Sequence, residues 1–249
     1  MSTGEPMEPQ KAIEIQGLTK MYKNARGIRD VQLDVFPGDI FGLLGPNGAG
    51  KTTAMKVMTG MLQPDSGDVR IFGHSVLTEY ELAMANVGCI VETAVSYPNL
   101  TAYENLKVVG RFYGMTDGKR IDEALEVVGM LKYRNEKSAN FSLGMKQRLG
   151  IAAAILPRPK LLILDEPLNG LDVEGMVEMR NLVKRLAAEE GTTFFISSHL
   201  VHDVERTCDR IGVIFDGRLL RVDSIESILR DHASLESFFM SEVDKHGKL

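Results

Sequence analysis

Cysteine is scarce in this chain. Only Cys89 and Cys208 occur among its 249 residues, and neither lies in a paired spacing of the kind that holds a structural metal. We expect both thiols to be reduced and to lie in the core of a cytosolic protein. The first residues, MSTGEPMEPQ, are polar and acidic where a secretory signal would be basic and then apolar, so residues 1–11 are expected to form a flexible tail.

Long apolar runs and an excess of positive charge are also missing. The longest plainly apolar run is IAAAIL at 151–156, whereas a helix needs ~20 apolar residues to cross a bilayer. A membrane role would therefore require another chain. The formal net charge of −5 gives no overall basic surface, which argues against nucleic acid as a partner.

What the chain does contain is an alternation of short apolar strands with helices. Strand patterns occur at AIEIQGL, VQLDVF, DIFGLLG, DVRIFG, VGCIVE, LLILDE and TTFFISS, and RIGVIFDGRLLRV predicts a hairpin that turns at Asp216-Gly217. Between about 100 and 156 the periodicity is helical, which indicates a helical subdomain inserted between strands. This order favours a parallel α/β core, in which ligands bind at the carboxyl ends of the strands.

A glycine-rich loop follows one of these strands and opens a helix. Its sequence GPNGAGKTT, residues 45–53, fits the pattern G-x-x-x-x-G-K-[ST] of phosphate-binding loops. The glycines permit backbone angles that turn N–H groups toward phosphate oxygens, and the lysine adds a positive charge. We therefore expect the loop to bind a nucleotide, through Gly45, Pro46, Asn47, Gly48, Ala49, Gly50, Lys51, Thr52 and Thr53, with the Thr52 hydroxyl as a ligand of Mg²⁺.

Two carboxylates end a later strand, LLILDE at 161–166. Side chains alternate across a strand, so Asp165 and Glu166 should point in opposite directions. We predict that Asp165 faces a hydrated Mg²⁺ and that Glu166 faces a water at the γ-phosphate, where it would act as a general base. These two elements occur in many phosphate-loop enzymes and do not identify one function.

Further residues narrow the choice. Ser142 and Gly144 precede the Asp165 strand, Asn169-Gly170-Leu171-Asp172 follow it, and Ser198-His199 end the next strand. In this order the set resembles the nucleotide-binding subunits of ATP-binding cassette (ABC) transporters, from about Ile13 to Leu220. The resemblance implies an α/β P-loop NTPase fold with a RecA-like core, an antiparallel β subdomain and an inserted helical subdomain at about 93–156. The cassette would span 12–222, and 223–249 would be a short helical extension.

The resemblance also assigns roles to residues outside the phosphate loop. FSLGM corresponds to the signature motif usually written LSGGQ, with Leu143 in place of its first glycine and Met145 in place of its glutamine. Two subunits of the family associate head to tail, so Ser142 and Gly144 would contact ATP held by the partner. Asp172 would lie in a loop that communicates between the two sites.

Two residues with ring side chains receive roles by the same resemblance. Tyr22 is expected to stack on adenine and His199 to contact the γ-phosphate. His199 and His202 also have a spacing that could indicate zinc, but no further cysteine or histidine lies close in sequence, so we do not predict a zinc site.

Two positions outside the signature motif also depart from the family pattern. Glu92 stands where glutamine is usual, and we expect it to touch Mg²⁺ or the attacking water. Leu168 stands where threonine or serine is usual. The glutamate, together with YPNLTAYENL and SLGMKQRLGIAAA, resembles the ATPase subunits of bacitracin-resistance and lantibiotic-immunity exporters.

The resulting hypothesis is an ATP hydrolase that binds Mg-ATP, forms a homodimer and powers export of a peptide antibiotic. The membrane permease subunits would be separate chains that dock near Glu92 to Glu104, which places the protein at the cytoplasmic face of the plasma membrane. Two alternatives stay open at this point. One is a soluble cassette ATPase in an assembly that does not transport, and the other is a nucleotide-binding regulator that hydrolyses ATP poorly.

Overall fold

The computed structural model of the protein describes residues 10–115 and 117–246. Most of the predicted tail, residues 1–9, lies outside the described residues, as do residues 247–249 of the predicted extension. Within the described residues, strands and helices alternate along the chain as the apolar patterns predict.

Ten strands and nine α-helices are present in the described residues. The strands are β1 (Ile13–Met21), β2 (Gly27–Val35), β3 (Ile40–Leu44), β4 (Ser66–Ile71), β5 (His74–Ser75), β6 (Val87–Ile90), β7 (Leu161–Asp165), β8 (Thr193–Ser198), β9 (Arg210–Phe215) and β10 (Arg218–Ser224). The helices are α1 (Lys51–Met58), α2 (Tyr80–Met84), α3 (Ala102–Phe112), α4 (Gly118–Val127), α5 (Leu143–Ile155), α6 (Val173–Glu190), α7 (Val201–Thr207), α8 (Ile225–Asp231) and α9 (Leu235–His246).

The central sheet has six strands in the order β10-β9-β3-β8-β7-β6. The five strands from β9 to β6 pair in parallel, and β10 joins β9 as the antiparallel hairpin predicted at Asp216-Gly217. Every residue of β3, β7 and β8 is buried. These strands read as nearly continuous apolar runs because a parallel sheet is covered on both faces.

Two apolar clusters cover the two faces of this sheet. Leu161 and Ile163 belong to the cluster that contains α1 and the antiparallel strands, whereas Leu162 and Leu164 belong to the cluster that contains α5 and α6. Neighbouring residues of β7 therefore separate to opposite faces, as the period of two in a strand requires. The second sheet, β2-β1-β4-β5, is antiparallel and lies with α1 on the first face.

The helices α3, α4 and α5 lie between β6 and β7 in the sequence. The helix α3 begins with a capping box, in which Thr101 and Glu104 satisfy each other's backbone N–H groups. Apolar residues of all three helices join the cluster on the second face of the sheet, among them Leu106, Leu125 and Leu149. The inserted helices thereby extend the core of the sheet.

The cysteine prediction is half right. Cys208 is buried, and its burial raises the pKa of its thiol. Cys89, in contrast, is exposed, so its assignment to the core was wrong. It lies on β6, which is the last strand of the sheet, and its side chain alternates away from the buried Gly88 and Ile90. No helix within the described ranges is both long and apolar enough to cross a membrane.

The stacked rings of Phe41 and Phe195 offer a test of this core. Their centroids are 5.5 Å apart and both side chains are fully buried. Phe195→Ala should lower the free energy of unfolding by about 3–5 kcal/mol, because it leaves a cavity between β3 and β8. Urea unfolding measures this loss. Phe112→Ala is the control, since Phe112 is 84% exposed, and an equal loss in both variants would contradict the packing described.

Candidate functional site

The loop of residues 45–50 joins the carboxyl end of β3 to the start of α1. Two glycines are required there for different reasons. A Cβ on Gly45 would lie 2.3 Å from the carbonyl oxygen of Ile214, so this glycine is needed for close approach. Gly50 has φ +108°, a conformation that other residues rarely adopt. No side chain caps the N-terminus of α1, which leaves its first backbone N–H groups to bind an anion.

The turn of the β9–β10 hairpin holds this loop from the side. The N–H of Gly217 donates to the carbonyl oxygen of Ala49 at 3.1 Å, and the N–H of Ala49 donates to the carbonyl oxygen of Pro46 at 3.2 Å. Gly45 is tied to the neighbouring strand because its N–H donates to the carbonyl oxygen of Ser198 at 3.2 Å. The loop is thus fixed before any ligand arrives.

Lys51 is buried and folds back over the loop. Its Nζ donates to the carbonyl oxygens of Gly45 at 2.7 Å and Pro46 at 3.2 Å. The same Nζ lies 3.1 Å from Glu166 Oε1. The Lys51 ammonium therefore lies between the loop and Glu166. An outer phosphate bound in the loop would be attracted by this positive charge.

Asp165 and Thr52 meet on the α1 face of the sheet. Thr52 Oγ1 donates to Asp165 Oδ2 at 2.9 Å, and Ser197 Oγ donates to Asp165 Oδ1 at 2.5 Å. Ser197 is opposite Asp165 in the register of β8 and β7, and residues paired in this way point to the same face of a sheet. The buried carboxylate is therefore held by one hydroxyl from each side.

Glu166 points away from Asp165, as the alternation along a strand predicts. Its Oε2 lies 2.8 Å from His199 Nδ1, and its backbone N–H donates to Ser197 Oγ at 2.9 Å. Glu166 has φ +48°, a left-handed conformation that costs energy for a residue with a side chain. Ser197 thus touches both acids and fixes the turn that separates them.

The donor set formed by Thr52 and Asp165 fits Mg²⁺. This ion prefers hard oxygen ligands and is commonly bound by one or two protein oxygens, with water and phosphate oxygens completing its shell. Residues 10–115 and 117–246 contain no group of three or more His, Cys, Asp or Glu side chains placed to hold a metal. A metal at Thr52 and Asp165 would therefore depend on ligands from the nucleotide.

A cleft of about 350 Å³ opens above the loop, and its lining residues include Asn47, Gly48, Gly50, Lys51, Thr52, Thr53 and Glu166. Tyr22, directly after β1, lies on its rim together with Asn24 and Arg26. Tyr22 is partly exposed, which leaves its ring accessible to a planar group. The structure thus brings six of the predicted loop residues, Tyr22 and the predicted base to one cleft, whereas Gly45, Pro46, Ala49 and His199 are not among its lining residues.

Ser142, Gly144 and Asp172 lie elsewhere. They line a separate cleft of about 260 Å³ that shares no lining residue with the first. Ser142 is the N-cap of α5 and Asp172 is the N-cap of α6, and their side chains accept backbone N–H groups at 3.2 Å and 2.8 Å. The two helix N-termini therefore line one cleft that is separate from the cleft at the phosphate loop of the same chain.

The two unusual leucines both have packing partners. Leu168 is buried among Met179, Val183 and Ile196 in the cluster under α6, so an apolar side chain suits the position. Leu143 is half exposed and lies against Gly170, where an added Cβ would come within 2.7 Å of Leu143 Cδ2. The altered signature motif is thereby packed on the segment that leads to Asp172.

Glu92 follows β6, beside the carboxyl end of β7. Its backbone N–H lies 3.4 Å from Asp165 Oδ2, but its carboxylate extends to Lys56, with a distance of 2.6 Å between Oε1 and Nζ. The structure therefore does not bring the Glu92 carboxylate to Thr52 and Asp165. The hydrogen bond that the Lys56 ammonium donates to the Glu92 carboxylate raises the pKa of Lys56.

Three residues that lie at or beside this site were not identified from the sequence. Ser197 could have been found as a polar residue inside the apolar strand TTFFISS, where a buried hydroxyl needs a partner. Lys56 lies one helical turn after Thr52 and therefore on the same face of α1. This spacing indicates a role near the site only when Glu92 is known to be the partner of Lys56. Arg26 has no distinguishing pattern, because the loop after β1 reaches the cleft only through the tertiary fold.

Comparison with known proteins places the chain in a family. Residues 28–169 match the family described as ABC transporter. The bacitracin transport ATP-binding protein BcrA of Enterococcus faecalis is 44% identical over 230 residues, which are 92% of this chain and 75% of that protein. The lantibiotic transport ATP-binding protein SrtF of Streptococcus pyogenes is 38% identical over 231 residues, covering 93% and 97% of the two chains.

The fold agrees with this assignment. A solved structure described as the ATP-binding subunit of an ABC transporter matches with a TM-score of 0.82 at 29% identity, covering 93% of this chain and 99% of that one. The predicted α/β P-loop fold is confirmed. Because the family match spans more than half of the chain and the relatives extend over nine-tenths of it, this chain belongs to the ABC transporter family as an ATP-binding subunit and is an ATPase.

Proposed function

We propose that this ATPase binds Mg-ATP in the cleft above the phosphate loop, pairs with a second copy and powers export of a peptide antibiotic through separate membrane subunits. The contacts of Glu166, which lines the cleft, with Lys51 at 3.1 Å and with His199 at 2.8 Å are the observation that supports the site most directly. The proposal also assigns a second copy of the chain to the surface that contains Ser142 and Gly144, and membrane subunits to the segment from Glu92 to Glu104.

Each residue of the cleft has a chemical task in this proposal. The backbone N–H groups at the start of α1 and the ammonium of Lys51 bind the phosphates, and Tyr22 stacks on adenine. Glu166 accepts a proton from the attacking water. His199, whose Nδ1 lies 2.8 Å from Glu166 Oε2, orients the Glu166 carboxylate. Mg²⁺ held by Thr52 and Asp165 would neutralise charge on the phosphate oxygens.

The second copy supplies the groups that the cleft lacks. Ser142 and Gly144 lie at the N-terminus of α5 and line a cleft separate from the one at the phosphate loop of their own chain, so in this proposal they contact the nucleotide of a partner in a head-to-tail pair. Asp172 caps the neighbouring helix on the same surface. ATP bound between two such surfaces would stabilise the closed pair, and hydrolysis would remove that link.

Membrane subunits would dock on the segment from Glu92 to Glu104. Val95 and Tyr97 are large apolar residues exposed there, and exposed apolar patches commonly mark partner surfaces. Glu92, at one end of this segment, lies next to Asp165. Movement of a membrane subunit docked on the segment could therefore affect the proposed metal site directly. The protein would then lie at the cytoplasmic face of the plasma membrane.

The peptide-antibiotic substrate is inferred from relatives. The two similar proteins from Enterococcus and Streptococcus are described as bacitracin and lantibiotic transport proteins. Glu92, in the position where glutamine is usual, and the sequence around it support the same group. We therefore infer that the transported substrate is a peptide antibiotic of the bacitracin or lantibiotic type.

Isolation from membranes tests the transport role. Detergent extracts of the native host should yield this chain together with a multi-span membrane protein, and a host producing both should tolerate more bacitracin or lantibiotic than one producing the Glu166→Gln variant. Recovery with soluble partners alone would instead support a cassette ATPase outside transport. Equal susceptibility of the two hosts to bacitracin and lantibiotic would contradict the assignment of a peptide antibiotic as the substrate.

Glu166→Gln should separate binding from hydrolysis. The amide keeps the size of the side chain but cannot take a proton, so ATP turnover should fall about 10²–10⁴-fold while ATP binding is kept and dimers accumulate. Phosphate release and light scattering with Mg-ATP measure the two effects. Glu226→Gln, at an exposed glutamate on α8, is the matched control, and unchanged turnover in Glu166→Gln would remove this residue as the base.

Gly144→Ala should act on the pair and not on the single chain. An added Cβ meets Leu171 Cδ2 at 3.5 Å, an ordinary contact, so the free energy of unfolding should stay the same or rise by up to about 1 kcal/mol. ATP-dependent dimers should be lost, because the methyl group would occupy the surface offered to the partner's nucleotide. Urea unfolding checks the first effect and light scattering the second. Dimers as stable as those of the wild type would refute the role of this surface.

A further inference from the structure

Helix α1 carries two contacts along one side. Thr52, in its first turn, bonds Asp165, and Lys56, four residues later, bonds Glu92. Residues four apart lie on the same face of a helix, so the lysine stands next to the proposed metal ligands without being one of them. Nothing in the phosphate-loop pattern assigns a task to this lysine.

The glutamate is anchored close to the site while its charge points elsewhere. The N–H of Glu92 lies 3.4 Å from Asp165 Oδ2, and its carboxylate is 2.6 Å from Lys56 Nζ. Glu92 has φ +70°, a left-handed conformation that is strained for a residue with a side chain. Its side chain is 61% exposed, so a rotation of its own bonds could bring the carboxylate toward Asp165 with the backbone in place.

We propose that Lys56 is a positioning residue that holds the Glu92 carboxylate away from the oxygens of Thr52 and Asp165 and competes with the divalent cation for it. A glutamine at the same position would have no charge to attract the lysine. The pair therefore explains how the unusual acid is accommodated beside Asp165. With Mg-ATP bound, the ion would compete with the Lys56 ammonium for this carboxylate. This inference rests on the proposed Mg-ATP site.

The expected size of the effect follows from the exposure of the pair. Ion pairs of this kind contribute little because water and salt screen them, and the corresponding change in an equilibrium constant is about 1.5- to 5-fold. The pair should weaken further at high salt, where the screening length falls to about 3 Å. A low-salt titration is therefore the appropriate measurement.

A double-mutant cycle isolates the pair from general charge effects. The variants are Lys56→Met, Glu92→Gln and both together, each titrated with Mg²⁺ in the presence of a fluorescent, non-hydrolysable ATP analogue. In the chain that keeps Glu92, Lys56→Met should lower the half-saturating Mg²⁺ concentration about 1.5- to 5-fold more than it does in the Glu92→Gln background. Lys56→Arg should restore the wild-type value, and Lys119→Met, at an exposed lysine on α4, controls for the loss of one positive charge.

Urea unfolding of the wild type and these three variants without nucleotide gives a second readout. A shift of the midpoint by Lys56→Met that depends on Glu92 supports the pair itself. Equal effects of Lys56→Met on Mg²⁺ titration in both backgrounds would overturn the competition, and additive unfolding midpoints would overturn the pair. Failure of the wild type to bind the analogue would count instead against the proposed Mg-ATP site, so the two ideas fail in different measurements.

Discussion

The parallel pairing of β3, β8, β7 and β6 is the constraint on which the site depends. Because these neighbours run in one direction, their carboxyl ends meet along one edge of the sheet. The phosphate loop, Ser197, the two acids and Glu92 come from four separate places in the sequence and arrive there side by side. The apolar clusters on both faces hold this edge in place, so the core of the protein also determines the spacing of its chemical groups.

Ser197 shows how closely packing and chemistry are linked. Its hydroxyl donates to Asp165 and accepts the N–H of Glu166, so a single buried residue on β8 orients both acids. The left-handed backbone at Glu166 is compatible with this bond. Alternation along the chain then sends one carboxylate toward Thr52 and the other toward Lys51 and His199, which separates the proposed metal ligands from the proposed base.

The departures from the family pattern are accommodated in three different ways. Leu168 is buried in an apolar cluster, Leu143 packs against Gly170, and Glu92 bonds Lys56. The two leucines are accommodated by packing against other residues of the same chain. The third concerns charge, and a charge next to the proposed metal site would affect binding of the ion as well as the stability of the fold.

Local patterns in the sequence determined every described strand except the two-residue β5, most helices, the phosphate loop and the opposite directions of Asp165 and Glu166. These features follow from periodicity and from the backbone freedom of glycine, which act over a few residues. The sequence did not determine that Cys89 would be exposed, since burial on β6 depends on β6 being the last strand of the sheet. It also left open the bond of Ser197 to both acids and the pairing of Lys56 with Glu92. Only the tertiary structure decided these contacts, because they join residues that are distant along the chain and meet at one edge of a sheet.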